Sequence, residues 1–169
     1  METIVNKVAK SGLITLDLQK FYPDQEFVEV DLKDFLFMEL ILKEKEFRQA
    51  LDELDWEFCR DKVLCVFCST DAIIAHWAYM LVATHANAVA KQVHLGSKAS
   101  ILEKEFLNNL AKHDWFQYEG KKVLLKGCSD KELYPSVYLE ATNRLVPYAD
   151  RVMYGEACSF VPVFRKPKT

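Results

Sequence analysis

Glycine and proline are scarce, five of each in 169 residues, about half of ordinary usage. Long linkers and low-complexity tails are therefore not expected. A long apolar run is missing too: Ala72 to Ala83 is interrupted by His76 and falls short of the ~20 residues that a membrane helix needs. No membrane partner is expected. The opening Met1-Glu2-Thr3-Ile4-Val5-Asn6-Lys7 leads into no apolar stretch of export-signal length. No cationic excess exists either, with 22 basic against 25 acidic residues and a net charge of −3. Nucleic acid is thus disfavoured as a partner, because phosphate backbones are held by a positive field. There is no glycine-rich phosphate loop, H-E-x-x-H helix or G-x-S-x-G elbow. Five cysteines, an odd number, without an export signal point to reduced thiols in the cytoplasm.

What the chain does have is an internal duplication. Glu44-Lys45-Glu46-Phe47 through Asp55-Trp56 aligns without a gap on Glu103-Lys104-Glu105-Phe106 through Asp114-Trp115, with seven of thirteen positions identical. The likeness continues through Lys62-Val63-Leu64 and Lys122-Val123-Leu124, then Cys68-Ser69 and Cys128-Ser129. Tyr79 answers to Tyr138, Ala83-Thr84 to Ala141-Thr142, and Gly96 to Gly155, at offsets of 58 to 60 throughout.

Each copy reads as helix, strand, helix, strand. Phe47, Leu51 and Leu54, or Leu102, Phe106 and Leu110, recur at helical spacing, and Ser100 with Glu103 forms a capping-box pattern for the second copy's first helix. A strand follows over Val63 to Phe67 or Val123 to Leu125. The longer helices are expected over Asp71 to Ala90 and Pro135 to Val146, and closing strands over Val93 to Leu95 and Val152 to Tyr154. Helices between strands imply right-handed crossovers. The expected fold is a single α/β domain over 1–169. Repeats 44–96 and 103–155 form a mainly parallel sheet covered by helices. The extension over 1–43, outside the duplication, carries an edge strand at Phe27-Val28-Glu29-Val30.

The duplication sorts the cysteines. Cys65 corresponds to Leu125 inside an apolar strand, and residues three apart on a strand face opposite ways. The Cys65/Cys68 string is therefore no redox pair, and Cys65 is a small core hydrophobe. Cys59, beside Arg60 and Asp61, is given no role. Cys68 and Cys128 stand just past the carboxyl ends of strands, where parallel sheets place ligand sites. Each is followed by serine and an acid, Ser69 and Asp71 or Ser129 and Asp130. Cys158-Ser159, with Gly155-Glu156 ahead of it, repeats the dipeptide after the last strand. Gly127 and Gly155 allow the positive φ angles that turn a backbone round a bound ion or anion.

Three Cys-Ser loops on one sheet edge would suit a zinc site or an iron–sulfur cluster held by Cys68, Cys128 and Cys158. Asp71, Asp130 or Glu156 could then fill a fourth position. The alternative is a thiol-dependent, sulfurtransferase-like enzyme with Cys128 or Cys68 as nucleophile, Ser69 or Thr70 capping a helix near Asp71 whose amides favour the Cys68 thiolate. The rhodanese-type glycine- and arginine-bearing loop is missing. A binding or scaffold module with structural cysteines is the third reading. His76 and His85, nine apart, are not at ligand spacing, and His94 is matched by Met153. Trp56 and Trp115 read as packing. Lys126 and Lys131 beside Cys128, and Arg165-Lys166-Pro167-Lys168, read as solvated.

Ser11-Gly12-Leu13-Ile14-Thr15-Leu16-Asp17-Leu18, the segment from Cys68 to Met80, Lys126-Gly127-Cys128-Ser129-Asp130-Lys131 and Met153-Tyr154-Gly155-Glu156-Ala157-Cys158-Ser159 together resemble the bacterial domain-of-unknown-function family 2480. The resemblance covers essentially the whole chain. It implies a small cytoplasmic α/β protein without an assigned activity, whose genes often lie near those of sulfur mobilisation and iron–sulfur assembly. Iron–sulfur assembly proteins are the partners it implies.

Overall fold

The computed structural model describes residues 12–131 and 133–167; residues 1–11 of the expected extension and Lys168 of the basic tail lie outside them. The chain divides into two compact units. A mid-chain unit is continuous over Asp24–Lys104, and a two-segment unit joins the chain up to Pro23 to the chain from Glu105 onward. Among the described residues no helix is long and apolar enough to cross a membrane.

In the mid-chain unit, β2 (Phe27–Asp31), β3 (Val63–Phe67) and β4 (Gln92–Leu95) form a parallel sheet in the order β2-β3-β4. Helices α1 (Glu44–Glu53) and α2 (His76–Ala86) supply the crossovers. The central strand is apolar at every position because both faces are covered. Leu64 and Val66 pack with Phe47 and Leu51 of α1 and with Ala78 and Val82 of α2. Val63 and Cys65 pack with Phe27 and Ile101 on the other side. Phe47, at the helical spacing read from the sequence, is 1% exposed, and burying such a side chain stabilises by roughly 1.5–3 kcal/mol.

The two-segment unit repeats the plan and adds to it. Strands β1 (Leu13–Leu16), β5 (Lys122–Lys126) and β6 (Arg151–Glu156) run parallel, and β7 (Ser159–Arg165) returns antiparallel beside β6, giving the order β1-β5-β6-β7. Helix α3 (Lys98–Ala111), within which the division between units falls, contributes Phe106 and Leu110. Helix α4 (Pro135–Leu145) contributes Val137, Ala141 and Leu145. These meet Val123 and Leu125 of β5 and Val152 of β6.

The α/β class with mainly parallel strands is as expected, but the strands form two sheets rather than one. The reason lies in residues 13–35, within the extension expected outside the duplication, which carry a repeat of their own. Leu16-Asp17-Leu18-Gln19-Lys20-Phe21 and Val30-Asp31-Leu32-Lys33-Asp34-Phe35 are copies of one turn. In each, a strand ends at or just before an aspartate whose carboxylate accepts the N–H two residues on, Asp17 from Gln19 and Asp31 from Lys33, both at 2.9 Å. A 3-10 turn then buries Leu18 or Leu32 completely. β1 pairs with β5 and β2 with β3, so each repeat acquires its own third strand and closes its own sheet.

The second shared device is at the end of the first helix of each copy. The indole N–H of Trp56 donates to the Leu51 carbonyl at 2.9 Å, and that of Trp115 to the Leu110 carbonyl at 3.0 Å. Each tryptophan thus bonds a carbonyl of the last helical turn; that of Leu110 also accepts the His113 N–H at 3.1 Å.

Helix starts differ from expectation in two places. α3 begins at Lys98, ahead of Ser100, and Ser97 Oγ accepts the Ser100 N–H at 3.4 Å while Glu29 accepts that of Lys98 at 2.7 Å. α2 begins at His76 with Ala75 as its cap, so Asp71 is not on it. Thr70 Oγ1 accepts the Ala72 N–H at 3.4 Å, a local bond of the kind that favours a turn, while Ile73 and Ile74 are poor helix starters.

Candidate functional site

The expected three-thiol edge is divided by the fold. Cys68 follows β3 in the mid-chain sheet, whereas Cys128 and Cys158 belong to the two-segment sheet. No group of three or more His, Cys, Asp or Glu side chains arranged to hold a metal occurs among the described residues.

Cys68 is half-buried against the core of its unit, with Sγ 3.2 Å from Thr70 Oγ1. The exposed Ser69 donates its N–H to Asp31 at 3.0 Å, so the aspartate that caps the turn after β2 also ties down the loop after β3. Asp71 is exposed in that loop. With no helix N-terminus at Ser69 or Thr70, the amide activation considered for Cys68 is missing.

In the two-segment unit the loops after β5 and β6 meet. The Gly127 N–H donates to the Gly155 carbonyl at 3.1 Å, continuing the β5–β6 ladder, and the Cys128 N–H donates to Glu156 Oε1 at 3.2 Å. Cys158 is in the two-residue tip between Glu156 and Ser159, which pair across the β6–β7 hairpin. It is therefore within a hairpin, not in a loop after the last strand. The sequence missed β7 because Pro162 interrupts it. Pro162 pairs with Met153 beside a register shift, and such irregularities are where a strand tolerates proline. Cys128 and Cys158 are exposed, whereas Cys59 and Cys65 are buried.

Gly155 has φ +130, and a Cβ there would be 2.6 Å from the Ser159 carbonyl oxygen, so the hairpin requires glycine. Gly127 is not at positive φ. It serves close approach instead, since a Cβ there would be 3.2 Å from the Tyr154 ring and 3.3 Å from Gly155 Cα.

The charged side chains around Cys128 are already engaged. Lys126 Nζ donates to Asp17 Oδ2 at 3.0 Å. Burial pushes the Asp17 carboxyl up, but Lys126, the Gln19 N–H and the charge of Lys20 outweigh it and hold the group below the usual carboxylate range. Asp17 in turn holds Lys126 above its ordinary value, by hydrogen bond and by charge. Lys131 has its ammonium 4.0 Å from the centre of the Tyr22 ring, and Ser129 Oγ donates to the Lys131 carbonyl. Both lysines keep solvent exposure while making these contacts. Asp130 is fixed by its N–H to Gln19 Oε1 at 2.9 Å. Asp17 and Gln19 were not among the expected site residues; the repeated Asp-Leu-x-x-Phe turn is the signal that finds them.

Tyr138, the counterpart of Tyr79, donates its hydroxyl to the Lys126 carbonyl at 3.1 Å and meets Tyr154 edge to face at 5.4 Å. Burial raises the Tyr138 hydroxyl, with Tyr154, Asp17 and Cys128 adding to it; burial raises Tyr79 as well, with Cys68 adding. Both copies thus stand a tyrosine by the cysteine loop. Leu133, Pro135, Tyr138 and Tyr154 line a shallow apolar cleft of ≈ 440 Å³. Of the histidines, His85 stacks on Trp56 at 5.6 Å, and His94 Nε2 is 3.4 Å from Gln92 Oε1.

No curated protein and no solved structure matches the chain. A family model matches residues 2–166, embracing both turns, both cysteine loops and the hairpin, and the chain belongs to the family it describes, Protein of unknown function (DUF2480).

Proposed function

We propose that the chain acts through thiol chemistry at the carboxyl edge of the two-segment sheet, with Cys128 as the reacting thiol and Cys158 as its resolving partner. The observation that carries this reading is that both thiols are exposed at the ends of neighbouring strands, with Glu156 holding the Cys128 backbone. The Cys128 thiolate would attack one sulfur of a partner disulfide, forming a mixed disulfide and expelling the other sulfur as a thiolate. Cys158 would attack the Cys128 sulfur, release the second partner thiolate and leave a Cys128–Cys158 disulfide. Two electrons pass from the dithiol to the partner. The cleft at Tyr138 and Tyr154 would receive an apolar side chain next to that disulfide. The reducing cytoplasm would maintain the dithiol form.

The test is mild oxidation of the full chain followed by peptide mass spectrometry. An intramolecular Cys128–Cys158 link is expected, lost in Cys128→Ser, with Cys65 and Cys59 remaining free thiols. Two unlinked thiols after oxidation would sink the proposal. Elemental analysis of anaerobically purified protein separates the alternative: stoichiometric zinc or iron lost in each of Cys68→Ser, Cys128→Ser and Cys158→Ser would favour a three-thiol centre.

A further inference from the structure

The opposite, amino-terminal edge of the same sheet carries a second feature. Lys122 of β5 is in register with Arg151 of β6, and Arg151 with Arg165 of β7. Val123, Val152 and Phe164, the next residues along, all pack toward the helices. Side chains alternate along a strand, so the three cations share the other face, in a row with backbones about 5 Å apart. Like charges placed directly opposite across strands destabilise a sheet. None of the three makes an ion pair among the described residues. Arg165, expected in a solvated tail, is the last residue of β7.

Beside the arginines, on the β6–β7 hairpin, is an apolar trough of ≈ 430 Å³ whose lining includes Met153, Phe160, Pro162 and Val163 together with Arg151 and Arg165. Its volume is within the range of small-ligand pockets. Phe160 is 44% exposed. A cation row against an apolar trough complements a molecule with one anionic end and one apolar end. Arginine forks bind carboxylate and phosphate alike.

We infer that this hairpin face binds a small, monomeric amphipathic anion, its carboxylate or phosphate head on Arg151 and Arg165, with Lys122 adjacent, and its tail in the trough. The site is independent of the thiols at the other edge.

Calorimetric titration of the full chain with decanoate below its micelle concentration tests it. Saturable one-to-one binding is expected, with acetate or inorganic phosphate alone at least tenfold weaker. Arg151→Gln, Arg165→Gln and Phe160→Ser should each weaken decanoate at least tenfold, while Cys128→Ser leaves it unchanged. Thermal melting gives a second readout. Without ligand, Arg165→Gln should raise the midpoint by removing repulsion; decanoate should raise the midpoint of the parent chain but not of that variant. Absent binding, binding indifferent to both arginines, or binding only to phosphatidylglycerol vesicles would overturn the inference, the last in favour of a membrane surface.

Discussion

Cys65 and Cys128 differ in environment rather than in kind. Cys65 is fully buried in β3 between Glu29 and His94, and burial, with the nearby Glu29 charge, pushes its thiol up to about 11. At pH 8 it should resist alkylation that labels Cys128 and Cys158 within minutes, as timed mass spectrometry would show. Cys65→Val should cost less than ~1.5 kcal/mol in a denaturant melt, because volume is nearly conserved. The buried Cys59, whose Sγ is 3.1 Å from the Trp56 carbonyl, should be as slow to react. Asp31 has two tasks, bonding the N–H groups of Lys33 and Ser69, so Asp31→Ala should cost about 1–2 kcal/mol and speed proteolysis at Ser69–Ile74. Cys65 was legible in the sequence because its counterpart is Leu125. The work of Asp31 was not, since Ser69 is 38 residues away and only the folded sheet brings them together.

Elements with internal periodicity were readable, and those shaped by their partners were not. Phe47 and Leu51, like Phe106 and Leu110, announce their helices, and Val63–Phe67 announces a covered strand. The start of α2 is five residues later than Asp71, because Thr70 turns the backbone at Ala72. β7 was missed because Pro162 masks a strand whose irregular register accommodates it. The β6–β7 hairpin rests on Gly155, where alanine would bring both left-handed strain and a clash with the Ser159 carbonyl. Gly155→Ala should cost about 2–4 kcal/mol and disturb amide signals of the hairpin. Gly12→Ala is the control: φ is +64 with nothing within 4 Å of a Cβ, so about 1 kcal/mol is expected. Trp115→Phe removes one of two donors to the Leu110 carbonyl, the His113 N–H remaining, and should cost about 0.5–1.5 kcal/mol. Trp56→Phe, less buried, should cost less.

For the molecule, acid is the weak side. Asp17 and Asp31 both sit below the usual carboxylate range in the fold, for each because hydrogen bonds and neighbouring lysines outweigh the upward push of burial. The stability they contribute is complete above about pH 4, the unfolded value, and is lost as pH falls through their lower folded values. Lys126, raised by Asp17, contributes until pH climbs past about 10.4. Melting temperature plotted against pH should be flat from about 5 to 9 and fall below 4, less steeply in Asp31→Asn. The duplication was legible at its constant offset of 58 to 60 residues; the repeated Asp-Leu-x-x-Phe turn was not, because Asp17 and Asp31 are only 14 apart, a spacing outside that pattern. That displaced turn matters for how the chain is made. Asp17 and its partner Lys126 are 109 residues apart, and the whole mid-chain unit is translated between them. At ~5–20 residues per second the interval is roughly 5–20 s. Throughout it β1 would wait on the nascent chain without the strand it pairs with, while β2, β3 and β4 are made in turn and can pair with one another. Chaperone traffic on the ribosome should therefore fall on Leu13–Leu16, and should end when β5 emerges.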